Sequence, residues 1–102
     1  MKEIKYVAER IREELEDSEH YAWKALSFKD KDMDMARTLE TLSKQELGHV
    51  EMLHGQAERL IKEQRAKGIE PPAAMKAVWD WEHEHLIKKK AEVNRLLDMM
   101  RQ

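Results

Sequence analysis

The sequence predicts an all-α fold, an antiparallel helical hairpin followed by a third, C-terminal helix. Three observations predict it. Glycine and proline are scarce (Gly 3, Pro 2 in 102 residues), while Ala, Leu, Glu, Lys and Met, which favour helices, dominate. Apolar residues recur at alternating steps of three and four through three long segments, the spacing of one helix face. The segments are separated by only two polar breaks, at 29–34 and 67–72.

The first segment spans about 3–28. Its apolar stripe is Ile4, Val7, Ile11, Ser18, Tyr21, Ala25 and Phe28. The gap between Ile11 and Ser18 is filled by Glu14, which at about 100° per residue lies inside the apolar arc. Glu13, Glu16 and Asp17 point away from it. A carboxylate in an apolar stripe is unexpected, because burying it without a partner is costly. The connection at 29–34 is short, which makes the first two helices antiparallel neighbours, and Asp32 or Asp34 suits the next N-cap.

The second segment spans about 34–66, with the stripe Met35, Leu39, Leu42, Glu46, His49, Leu53, Ala57 and Leu60. Gly48 costs about 1 kcal/mol relative to Ala inside a helix, and the sequence places it beside two polar stripe residues, as room for a small molecule or a close helix. Gly68 suits a C′ position, and Pro71 and Pro72 end one helix and begin the next. The third segment, about 73–100, carries Met75, Val78 or Trp79, Leu86, Val93, Leu96 or Leu97, and Met100. Glu82 falls on this stripe, with His85 on one flank and His83 on the other. The run Lys88-Lys89-Lys90 reads as a solvated patch whose stems cover apolar surface.

One domain of 1–102 accounts for this length. Nineteen Lys and Arg against 21 Asp and Glu leave a formal net charge of −2, so nucleic acid and anionic membranes are not expected partners. The absence of cysteine removes disulfides, thiolate metal sites and thiol catalysis. No apolar run of about 18 residues is present, and the N-terminus lacks the apolar region of a signal peptide. The expected location is the cytoplasm.

The chemistry concentrates in Glu46-Leu47-Gly48-His49. On a helix, Glu and His three apart point the same way and form a ready pair of metal ligands. Glu-x-x-His on facing helices, with single glutamates on others, is the di-iron or di-manganese carboxylate arrangement of helix bundles. Glu14 on the facing stripe supplies a single glutamate, and Glu82/His85 forms a second, weaker Glu-x-x-His. Tyr21, two turns after Glu14, is placed to hydrogen-bond a ligand or stand near a reactive oxygen species. The bland readings are a partly exposed Glu14 at a bundle seam, a solvated 82–85 face, and a Tyr21 that is simply core.

The first two segments resemble the ferritin-like superfamily, especially its rubrerythrin and encapsulated-ferritin branches. Glu13-Glu14-Leu15-Glu16 with Tyr21 is similar to the first metal helix, and residues 45–53 are similar to the second. The resemblance covers about residues 8–62. It implies that Glu14, Glu46 and His49 are iron ligands, with manganese or zinc as other occupants, and that Glu14, Glu46, His49 and Tyr21 serve Fe(II) oxidation by dioxygen or peroxide. The expected role is iron storage or protection from oxidative stress, with a host shell such as an encapsulin as a partner compartment. The chain differs in having His20 in the position where encapsulated ferritins usually carry Trp, and in having three helices rather than four. Two routes complete a site. Either two hairpins pair as a homodimer, each giving Glu14, Glu46 and His49, or Glu82 and His85 supply the rest. The first is preferred, because a two-fold axis duplicates a half-site with no further sequence requirement. The expected product is a four-helix bundle formed by dimerisation. The competing expectation is a non-catalytic helical oligomerisation or adaptor module without metal.

Overall fold

Helix propensity and capping account for the three elements seen in the computed structural model, which describes residues 2–101, Ala74 by its backbone alone. They are α1 (Lys2–Phe28), α2 (Met33–Ala66) and α3 (Ala73–Arg101). Asp32 caps α2: it sits in an extended conformation, and its carboxylate accepts from the Met35 amide at 3.1 Å. The α2 C-terminus closes as a Schellman turn, with the Ile69 amide donating to the Gln64 carbonyl (3.0 Å) and the Gly68 amide to the Arg65 carbonyl (2.9 Å). Gly68 has φ +75°, a left-handed conformation that a Cβ would strain. Pro71 and Pro72 then hand over to α3, whose first turn is closed by the Lys76 amide on the Pro72 carbonyl (3.0 Å).

The helices lie side by side in a rod 56 Å long and 18 Å across. Val7 packs with Ala57 at one end, and Ala25 with Ala36 at the other, so α1 and α2 run antiparallel. Ala22 and Leu26 meet Val93, Leu96 and Leu97, and earlier along both helices Arg12 pairs with Glu82 and Glu19 with Lys89, so α3 runs parallel to α1.

The α1–α2 seam has a different register from the one the apolar pattern suggests. The fully buried residues of α2 are Ala36, Ser43, Val50 and Ala57, spaced by sevens. They face Ile4, Ile11, Ser18 and Ala25 of α1, also spaced by sevens. A seven-residue repeat is the signature of a coiled-coil seam, and small residues let the backbones approach. At its middle, the Ser18 hydroxyl donates to the Ser43 carbonyl (2.9 Å) and the Ser43 hydroxyl to the Ser18 carbonyl (2.8 Å). Both hydroxyls are fully buried and satisfied. Leu39, Leu42, Leu53 and Leu60 flank this spine and stay half-buried, and Met35, expected in the stripe, is 43% exposed. Val78 is likewise outside the core, at 59% exposed, because α3 turns Trp79 inward instead.

Helix α3 covers only one flank of the hairpin. Its ties run to Arg12 and Glu19 on α1, through Glu82 (3.8 Å) and Lys89 (2.8 Å), and to Glu40 and Glu51 on α2, through Arg101 (3.5 Å) and Lys90 (2.9 Å). The lysine run is therefore no mere solvated patch, since Lys89 reaches α1 and Lys90 reaches α2. The opposite flank presents Arg10, Glu14, Tyr21 and Phe28 on α1, and Leu42, Glu46, His49 and Leu53 on α2. At about 100° per residue each set forms one stripe. No helix is long and apolar enough to cross a membrane among the described residues.

Candidate metal centre

Glu14, Glu46 and His49 come together in the groove that α3 leaves open. One ligand atom from each lies within 4.8 Å of the others, and no other group of three or more His, Asp or Glu residues does so among the described residues. Helix α1 positions Glu14 one turn after Ile11 and one turn before Ser18, so its carboxylate is held against the seam and is only 9% exposed. Helix α2 positions Glu46 and His49 between the Ser43 and Val50 layers. The His49 ring lies on the rim, with its side chain 54% exposed.

The polar atoms are unevenly satisfied. Glu14 Oε1 accepts from Arg10 Nη2 at 2.6 Å, and Glu14 Oε2 faces His49 Nδ1 at 3.4 Å. Glu46 Oε2 is buried with no hydrogen-bond partner, His49 Nδ1 being 3.8 Å away. A buried carboxylate oxygen without a donor is costly. It is the atom a cation would satisfy. Two carboxylates and an imidazole form a donor set suited to iron or manganese, with zinc also served by the imidazole. The residues therefore fit a cation, and Glu14, Glu46 and His49 are the ones that would hold it. Arg10 already covers one Glu14 oxygen, supplying in the metal-free chain the positive charge that Glu14 needs.

The remaining sequence candidates lie outside the cluster. Tyr21 is half-buried on the same flank as Glu14, and its ring neighbours His20 at 6.3 Å. Its hydroxyl makes no hydrogen bond among the described residues. Glu82 turns toward Arg12 on the α3 side of the hairpin, and its side chain is 12% exposed. His85 stacks on Trp81 with ring centres 5.2 Å apart and planes 6° from parallel. Neither joins the Glu14 cluster. Gly48 also differs from expectation. It points away from the seam, and nothing lies within 4 Å of where its Cβ would be. It therefore makes no room at the cluster within one chain.

Pattern reasoning missed Arg10, although its i,i+4 spacing from Glu14 was a usable signal. It placed Ser18 on the α1 stripe but missed its partner Ser43, and it missed the contact between His54 and His83 across helices. No family model matches the chain, and no curated protein or solved structure matches it either.

Proposed function

We propose that the protein is a ferritin-like iron-binding protein in which Glu14, Glu46 and His49 form half of a di-iron carboxylate site. A second copy would complete it across a two-fold axis, pairing two hairpins into a four-helix bundle. The observation that carries this reading is the convergence of the three residues, with the orphaned Glu46 Oε2, in the groove left open by α3. Half-buried Leu42 and Leu53 flank the cluster there and are the apolar surface a second hairpin would cover.

Fe(II) is the substrate in this reading. Two Fe(II) ions give up one electron each, reducing dioxygen and two protons to hydrogen peroxide, or peroxide and two protons to two waters. The chain contributes carboxylate charge that favours the ferric product, and His49 contributes a neutral donor at the solvent edge, where ions enter. The role that follows is iron storage, given a shell, or removal of peroxide.

The test is metal analysis of protein purified without chelator, with Fe(II) oxidation followed by absorbance. Bound iron and catalysed oxidation support the reading, and a metal-free protein indifferent to Fe(II) overturns it. A second reading, a metal-free helical oligomerisation module, is favoured by one observation. Arg10 already neutralises Glu14 at 2.6 Å, so that carboxylate does not require a metal.

A further inference from the structure

A second cluster of imidazoles lies on the other flank of α2, where α3 approaches it. His54 Nε2 of α2 and His83 Nδ1 of α3 are 3.3 Å apart, with ring centroids separated by 5.3 Å. That spacing is long for a hydrogen bond from a ring N–H, which is usually near 2.9–3.0 Å. It matches another geometry more closely. In a tetrahedral site with Zn–N bonds of about 2.0–2.1 Å, two nitrogens stand about 3.3–3.4 Å apart and two imidazole centres about 5.2 Å apart. An octahedral cis pair at the same bond length would bring the nitrogens to about 2.9 Å.

The surroundings point the same way. His54 Nδ1 lies 3.3 Å from Glu58 Oε1, one turn further along α2. A carboxylate there favours the Nδ1–H tautomer, which leaves the Nε2 lone pair facing His83, the usual support of a metal-bound histidine. Trp79 stacks on the His54 ring, 6.1 Å between centres and 19° from parallel, and fixes its plane. The His83 ring is open to solvent, so an ion has a way in. Asp80, one turn before His83 on α3, lines the same cavity.

We propose that His54 and His83 form a divalent-cation site, suited to zinc, that clamps α3 onto α2. Asp80 supplies the third ligand, a carboxylate oxygen, after rotation of its side chain, water completes the tetrahedron, and Glu58 is a positioning residue acting through His54. The site is separate from the Glu14 cluster and does not depend on it.

Calorimetric titration of Zn2+ into metal-free protein carrying Glu14→Ala and His49→Ala isolates it. The expected result is one Zn2+ per chain and a raised melting temperature with zinc. In that background His54→Gln and His83→Gln should each weaken binding by at least 10-fold, and Glu58→Gln by about 10–100-fold. His83 is exposed, so His83→Gln should keep the fold, which its circular dichroism checks. No zinc binding in the background protein, or binding indifferent to His54→Gln, His83→Gln or Glu58→Gln, overturns the proposal.

Discussion

Glu14 is the residue on which the candidate centre turns, and its pairing with Arg10 sets what the metal-free chain looks like. The Arg10 side chain is 39% exposed, so solvent screens the pair. Its contribution is about 1 kcal/mol or less. Removing the guanidinium frees Glu14 Oε1, and Arg10→Ala is expected to tighten divalent-metal binding by up to roughly five-fold. Anaerobic Fe(II) or Mn(II) titration of both proteins measures this. Weaker binding in the variant would mean that Arg10 holds the binding conformation instead of competing for it. The two Glu-x-x-His histidines should behave differently. His49→Ala removes a candidate ligand and should weaken iron binding at least as much as the 10–100-fold loss typical of a supporting residue. His85→Ala only unstacks a ring from Trp81 and should leave affinity unchanged. Iron titration of the pair decides, and an equal loss at His85 would make α3 a ligand helix.

The α1–α2 seam depends on side chains being small. Ser43 is fully buried against Ser18, and its hydroxyl bonds to a backbone carbonyl across the seam at 2.8 Å. Ser43→Ala loses that bond and should cost about 1 kcal/mol. Ser43→Leu must also push the helices apart, at a typical overpacking cost of about 1–3 kcal/mol. Because the cluster lies one layer along, it should weaken metal binding as well. Chemical denaturation ranks the two, and a leucine tolerated better than alanine would refute the close-packed seam. Docking of α3 has its own pH signature. The Glu51 carboxyl is held below its ordinary value of 4.5, first by the hydrogen bond from Lys90 and then by the charge of that lysine. A lowered folded-state pKa contributes stability above the unfolded value, and that contribution disappears as pH falls through the folded one. Glu51→Gln should therefore lower the melting temperature near neutral pH and converge with the parent protein well below pH 4.5. A gap that persists in acid would assign the loss to packing.

For the molecule as a whole, the decisive feature is that the third helix, α3, covers one flank of the α1–α2 hairpin and leaves the other open. The open flank holds the orphaned Glu46 oxygen beside half-buried leucines. A dimer or larger oligomer is the expected solution state, and Leu42→Glu should dissociate it without unfolding α1–α2. Light scattering of the parent and variant proteins, with Fe(II) oxidation measured in parallel, tests this. Monomeric protein that binds iron normally would exclude the shared-site arrangement.

Helix number, the antiparallel course of α1 and α2, caps and the inward glutamates were legible in the sequence because they are local. Asp32, Gly68 and the two prolines act within a few residues, and a 3.6-residue period places Glu14 and Glu46 on buried arcs. The register of α2 was not legible in the same way. Leu and Met outweigh Ala and Ser on any apolar count, yet Ala36, Ser43 and Ala57 form the centre of the seam. How closely two backbones pack is set by the smallest side chains between them, and that depends on the partner helix. The tertiary structure alone decided that Glu82 faces Arg12, that His85 stacks on Trp81, and that His83 meets His54. Each of these follows from the rotation of α3 about its own axis. That rotation is fixed by which of its side chains fill the groove of the hairpin, a choice that α3's own periodicity does not contain.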